Sequence, residues 1–178
     1  MGDGTSAEPL GRIHSDGPDD GLRAVRSSTG VVLCGSCQRL SRCRLGLHRE
    51  TLQSDGLVVI SEVECPRDNE GGPNVAHGGW TAGILDEMVG HALLLRGEFV
   101  VTGTLKVKFV KPAPVERPLI GRAREVGRGG RRVYVEADIV LAGTDFLVAS
   151  AEATMVRRPA DHFARHEEWL KSVNGEAR

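Results

Sequence analysis

Along one stretch of the chain the pattern Thr81, Ile84, Leu85, Met88, Val89, Ala92 and Leu95 repeats at three and four residues, which predicts an α-helix. That helix is unusually apolar and carries small residues at Gly79, Ala82, Gly83 and Gly90, so it should be buried and closely approached by its neighbours. After it the period changes to two. Leu105, Val107 and Phe109 alternate with Lys106 and Lys108, and Val133, Val135, Ala137, Ile139 and Leu141 alternate with Tyr134, Glu136 and Asp138, as half-buried antiparallel strands do. A run from Phe146 to Val156 places Leu147, Ala149, Ala151, Ala153 and Met155 on one face, whose small alanines suit close helix packing. Gly127-Arg128-Gly129-Gly130 and Ala142-Gly143-Thr144-Asp145 read as turns. Ahead of the helix, Leu57 to Glu64 reads as a strand ended by Cys65-Pro66, and a polar Gly/Pro segment follows from Pro66 to Asn74. One strand, one buried helix and a long antiparallel meander predict an α+β protein with a sheet wrapped around a central helix. There is no internal repeat.

The ends of the chain read differently from this centre. Residues 1–30 are rich in Gly, Asp, Ser and Pro and bury too little to offset their ordering entropy, which predicts a flexible arm. Residues 31–55 form a cysteine-containing lead-in, 56–158 the folded domain, and 159–178 a C-terminal helix and tail in which Phe163, Trp169 and Leu170 pack on the outside. At 178 residues the chain suffices for one domain with a sizeable core. A formal net charge of -1 offers no overall attraction for nucleic acid or an anionic membrane. No run approaches the ~18 apolar residues of a membrane span, and the start lacks the order of a signal peptide, so a cytoplasmic protein is expected. Cys34, Cys37, Cys43 and Cys65 are then expected to be reduced.

The candidate chemistry lies at the start of the helix, where the first backbone N–H groups lack intrahelical partners and negative charge is favoured. His77-Gly78-Gly79 stands there, and its glycines let a ligand come close. A thioester carbonyl against the Gly78 amide would be polarised, and the oxyanion formed on attack stabilised. Asp86 lies in the same helix beside Leu85 and Met88, where a carboxylate is costly without a partner or a task. It suits a general base acting on water or a nucleophile attacking the thioester, although a structural role satisfied by Thr or backbone is the plain alternative. Glu87 reads as a surface or interface residue and His91 as a satisfied helix histidine. Gly78 and Asp86 are eight residues apart, ~12 Å along a helix. One carbonyl cannot meet both on a single helix, so a shared site implies two antiparallel helices from two subunits.

The stretch from His77 to Glu87, with Thr102-Gly103-Thr104-Leu105-Lys106-Val107-Lys108-Phe109-Val110-Lys111-Pro112-Ala113-Pro114 downstream, resembles the phenylacetate-pathway branch of hotdog-fold thioesterases over roughly residues 56–157. The resemblance implies a hotdog fold and an acyl-CoA hydrolase without metal or other cofactor, working as a homodimer or a dimer of dimers. It implies Asp86 as the catalytic carboxylate, Gly78 as the oxyanion amide, Thr102 as a hydroxyl near the next strand that positions the attacking water, and His77 as a contact to the thioester or a shaper of the loop. Where relatives carry an asparagine six residues before that histidine, this chain has Gly71, and Asn74 is the candidate to take over its polar role.

Around this centre Gly79 and Trp80 are further candidates for contact with the acyl-CoA, Trp80 and Met88 as walls of the acyl pocket. Arg128, Arg131 and Arg132, in and after the Gly-rich turn, are candidates for the CoA phosphates, with a solvated hairpin face as the alternative. Cys34-x-x-Cys37, Cys43 and His48 make a Cys3His set only partly spaced for structural zinc, and the relatives carry a similar Cys-x-x-Cys ahead of a Gly-Leu pair without metal. Two rival functions remain: a non-catalytic acyl-CoA-binding or sensing protein of the same fold, and a hotdog hydratase or dehydratase acting on enoyl or hydroxyacyl thioesters.

Overall fold

The computed structural model describes residues 25–173 and Gly175; residues 1–24 of the expected arm, and Asn174 and 176–178 of the expected tail, lie outside the described residues. In chain order come α1 (Gly35–Gln38), β1 (Leu47–Leu52), β2 (Val58–Glu64), a 3-10 turn (Arg67–Asn69), β3 (Glu70–Gly72), β4 (Val75–Ala76), α2 (Gly78–Leu94), β5 (Val100–Phe109), β6 (Pro118–Gly129), β7 (Arg132–Leu141), β8 (Leu147–Arg157) and α3 (His162–Val173). Six strands form one sheet in the order β1-β2-β6-β7-β8-β5, every pairing antiparallel, and β3 and β4 form a small hairpin of their own.

The helix α2 packs against β2, β5, β6, β7 and β8, as its apolar sequence predicts. Its residues Ile84, Leu85, Met88, Val89 and Leu93 are fully buried. The sheet admits the helix by presenting small residues: Ala123, Ala137, Ala149, Ala151 and Ala153 are all buried on it. Gly121 goes furthest, because a Cβ there would stand 2.5 Å from the Met88 methyl. Adding that one carbon overpacks the core, at a cost of about 1–3 kcal/mol.

Several expectations are corrected. The strands after α2 are not a simple meander: β5 follows the helix directly but crosses to the far edge and pairs with β8. The strand β6 carries too little alternation to be seen in the sequence, because its inward positions include Gly121 and Ala123, small for the sake of Met88. The expected turn at Gly127–Gly130 is shorter, since β6 runs on to Gly129 and the reversal occurs at Gly130, with φ 57. The sheet begins at Leu47, inside the expected lead-in, so β1 is an edge strand of the domain. Val25–Gly30, read as part of the arm, form a turn closed by the Gly30 N–H on the Ser27 carbonyl, with Arg26 bridged to Val32. Val31, Val32 and Leu33 after it are in the core. The helix α3 forms as predicted, but none of its residues is buried: Phe163 meets Phe99 edge to face, while Trp169 and Leu170 remain exposed.

Candidate functional site

The hairpin of β3 and β4 sets the entry to α2. The His77 N–H donates to the Asn69 carbonyl at 2.7 Å and the Ala76 N–H to the Ala113 carbonyl at 2.8 Å. His77 caps the helix, its Nδ1 accepting the Gly79 N–H at 2.9 Å. An accepting Nδ1 leaves the proton of the neutral ring on Nε2. Gly79 is therefore satisfied within the helix start, whereas the Gly78 N–H has no acceptor among the described residues. His77, Gly78 and Gly79 are all exposed, and the open amide is thus reachable from outside.

Gly71 touches this entry closely. A Cβ on it would lie 2.6 Å from the His77 Cα, so an asparagine cannot occupy that position while the hairpin keeps this path. Asn74 does not substitute for it here: its Oδ1 accepts from the Arg67 guanidinium at 3.2 Å, beside Glu70 and Glu116. The backbone of Asn74, at φ 58, is held in the left-handed turn of the hairpin.

Two turns along α2, half-buried Asp86 lies between fully buried Leu85 and Met88, and its Oδ1 accepts from the Thr102 hydroxyl at 2.7 Å. The strand delivers that hydroxyl through a bulge: Thr102 pairs with Met155 and Thr104 with Thr154, leaving Gly103 as the extra residue. No other side-chain hydrogen bond to Asp86 forms among the described residues, so Oδ2 is open. Among the described residues β5 pairs with β8 alone, so the β5 edge from Val100 to Phe109, which carries Thr102, is unpaired there on its other side.

Other candidates fall elsewhere. Trp80 is in the core, its indole N–H donating to the Leu45 carbonyl at 3.0 Å, and Met88 fills the space over Gly121. Phe109, expected to face inward, is 58 % exposed, and its ring lies 3.6 Å from where a Gly78 Cβ would stand. It borders the helix start, whereas Trp80, expected as a wall of the acyl pocket, is in the core. The alternation around Phe109 concealed this, because an edge strand leaves its apolar face uncovered.

The arginines separate into two groups. Arg128 is held by Glu98 at 3.1 and 3.2 Å and by Glu125, which also binds Arg96. Its guanidinium is raised above the usual range by Glu125 and then Glu98, and Glu125 is depressed to about 2, chiefly by the Arg128 hydrogen bond. Arg128 is thus committed to internal carboxylates. Arg131 and Arg132 instead line a surface cavity of about 410 Å³ with Gly129, Val156 and Arg158, and the buried Arg158 Nε has no acceptor among the described residues. The register Val133 to Met155 to Thr102 puts the Arg132 backbone two strand spacings, roughly 10 Å, from Thr102, with its side chain on the sheet face opposite the one that meets α2.

The polar groups on the back of α2 were legible only in part. His91 is 3 % exposed; its Nδ1 lies 2.7 Å from Glu50 and its Nε2 3.1 Å from Glu87. Glu50, in β1, also accepts from the Val32 N–H and the Ser61 hydroxyl. Burial disfavours the imidazolium, yet the two carboxylates outweigh it and raise His91 to about 9, while Glu87 is lowered mainly by its hydrogen bond to His91. His91 is the satisfied helix histidine that the sequence suggested, but its partner Glu50 stands in a strand with no local signal of its burial. Among the described residues no three His, Cys, Asp or Glu are placed to hold a metal ion, so Cys34, Cys37, Cys43 and the exposed His48 are not gathered as a ligand set.

A sheet wrapped around one buried helix, with an open amide at the helix start and a carboxylate further along it, defines a hotdog-fold protein. Residues 73–146, which span α2 and strands β5 to β7, match the model of the thioesterase superfamily. A solved thioesterase superfamily protein is 28% identical and superposes with a TM-score of 0.55 over 60% of this chain and 54% of its own, so the chain spans about half of that protein's length. A hypothetical thioesterase of Streptococcus pneumoniae, solved with coenzyme A, matches at 18% identity and TM-score 0.56 over 61% of this chain and 86% of its own. The E. coli PaaI protein, from the phenylacetic acid degradation operon, matches at 18% identity and TM-score 0.52 over 57% and 72%. No curated protein matches the sequence. The resemblance to hotdog thioesterases is thereby borne out. Among the described residues no helix is long and apolar enough to cross a membrane.

Proposed function

We propose that this protein hydrolyses an acyl-CoA thioester to the free acid and CoA at a site shared by two copies of the chain. The observation that carries the reading is Asp86: a half-buried carboxylate flanked by buried Leu85 and Met88, oriented through one oxygen by Thr102 and open at the other. A carboxylate so placed serves catalysis better than stability, because its desolvation is only partly compensated. The Gly78 amide is the matching donor for a developing oxyanion, and the ~12 Å of helix between the two groups requires that they come from different copies. The free β5 edge offers the surface for that pairing: a second copy added there, antiparallel, carries its own helix start toward Asp86.

In this site the thioester carbonyl accepts from the Gly78 N–H of one copy while Asp86 of the other removes a proton from water or attacks the carbonyl itself. Thr102 orients the carboxylate and, through its lone pairs, the water. His77 shapes the entry through its cap, and Phe109 lies where the acyl or pantetheine chain enters. The cavity of Arg131, Arg132 and Arg158 takes the CoA phosphates, without Arg128. The coenzyme A bound to the Streptococcus pneumoniae neighbour supports this ligand class.

Thiol release from a panel of short, medium, long and aromatic acyl-CoAs tests the reading. Asp86→Asn should lower kcat by roughly 10²–10⁴-fold while acyl-CoA affinity stays within a few-fold. Undiminished turnover would remove Asp86 from the mechanism. An unaltered affinity in a wild type that releases no thiol would instead identify a binding protein.

A further inference from the structure

The proposed hydrolysis leaves the Cys34-Gly35-Ser36-Cys37 segment unused. It lies in the stretch that covers α2, tied down where Trp80 donates to the Leu45 carbonyl. The Gln38 N–H donates to the Cys34 carbonyl at 3.0 Å, closing one helical turn over the two cysteines. Such a turn puts their Cα atoms about 5 Å apart, within the window a disulfide spans.

The two thiols are unlike. Cys34 is exposed and Cys37 is buried, its Sγ accepting the Arg44 N–H at 3.4 Å. Partial burial opposes ionisation of Cys34, but hydrogen bonds from the backbone and thiol of Cys37 and the backbone of Ser36 lower its thiol overall, while burial pushes Cys37 up. Cys43 and Cys65 are both buried, and burial raises both thiols, Cys65 to about 11. Four cysteines thus include one accessible thiol with a buried second thiol one helical turn away, the arrangement that thiol–disulfide exchange needs.

We infer that Cys34 and Cys37 form a reversible dithiol–disulfide site, with Cys34 attacking a low-molecular-weight disulfide and Cys37 resolving the adduct. The Cys34 thiolate bonds to one sulfur of the external disulfide, whose S–S bond breaks and whose other half leaves as a thiolate and takes up a proton. Cys37 then loses its proton and attacks the Cys34 sulfur, expelling the second half as a thiol. The protein is oxidised by two electrons and the external disulfide is reduced to two thiols. This site stands independently of the thioesterase reading.

Reduced full-length protein treated with oxidised glutathione, quenched with acid and alkylated, tests it by mass spectrometry. The tryptic peptide from Ser27 to Arg39 contains both cysteines and no others. In wild type it should lose the mass of two hydrogens and regain it with excess dithiothreitol. Cys34→Ser should leave the peptide unmodified, and Cys37→Ser should accumulate one glutathione on Cys34. Because Cys37 is buried, a wild-type time course supplies the same answer without substitution: a glutathione adduct on Cys34 rises and decays ahead of the disulfide. The inference fails if wild type retains a stable Cys34 adduct, if Cys43 or Cys65 reacts first, if the peptide stays reduced, or if the purified protein holds zinc through these thiols.

Discussion

The front and back of α2 treat their ionisable groups in opposite ways. On the back, His91 is enclosed between Glu50 and Glu87, and Glu50 takes further hydrogen bonds from Val32 and Ser61. On the front, Asp86 has one bond, to Thr102, and the Gly78 amide at the helix start has none among the described residues. Both regions place charge against the same apolar helix. The first joins the lead-in, β1, β2 and α2 into one unit, while the second leaves valences for something not of this chain. A buried polar group that is fully paired works for stability; one held by a single bond at a strand edge is free to work on a ligand.

Variants on the two sides should therefore fail differently. The largest effect is expected at the front. Pro at position 78 suits the first helical position after the extended His77, whose φ is -60 and ψ 139, yet it deletes the N–H. Gly78→Pro should cost about 10²–10³ in kcat, with the melting temperature nearly unchanged. Unfolded and refolded together, Gly78→Pro and Asp86→Asn chains should recover about a quarter of wild-type activity, because each mixed two-fold dimer has one intact site. No recovery would place both groups in a single subunit.

The back comes next, with the readouts reversed. His91→Leu leaves Glu50 buried without its cationic partner and should cost about 3–5 kcal/mol in denaturant unfolding, with turnover per folded molecule preserved. His91 is raised to about 9 in the folded state, against about 6.5 in the unfolded chain. Its contribution is thus fully present below pH 6.5 and is lost as pH rises through 9, on the order of 3 kcal/mol. Glu87 is lowered, so its contribution is present above its unfolded range and lost on acidification. Unfolding free energies measured from pH 6 to 10 should fall in wild type and fall less in His91→Leu.

Two smaller effects sharpen the contrast at the front. Thr102→Val keeps the strand but removes the hydroxyl that orients Asp86, and should lower kcat roughly tenfold, as the loss of one positioning hydrogen bond does. Arg131→Ala should raise KM for acyl-CoA several-fold, an effect weakened by added salt. Arg128→Ala should leave KM nearly alone, because Glu98 and Glu125 already occupy its guanidinium. Equal KM effects would return the phosphates to Arg128.

Much of the frame is written locally. The apolar period of α2, the alternation of β7 and β8, and the turn chemistry at Gly130 and Gly143 each depend on neighbours a few residues away, and each was legible. The strand β6 was not, because its inward glycine and alanine are small to admit a methionine from another element. Phe109 alternated correctly for a covered strand, but the crossover of β5 to the sheet edge left it exposed.

The sequence by itself determined the central helix, the position of His77, Gly78 and Asp86 along it, and the spacing that separates amide from carboxylate, since all follow from local period and helical rise. Only the tertiary structure decided what each polar group meets. It brought Thr102 to Asp86 through a bulge, buried Trp80 under Leu45, occupied Arg128 with Glu98, and set Glu50 against His91. Those partners are 16 to 41 residues apart, and nothing in a side chain's own neighbourhood announces a contact that exists only once the sheet closes around the helix.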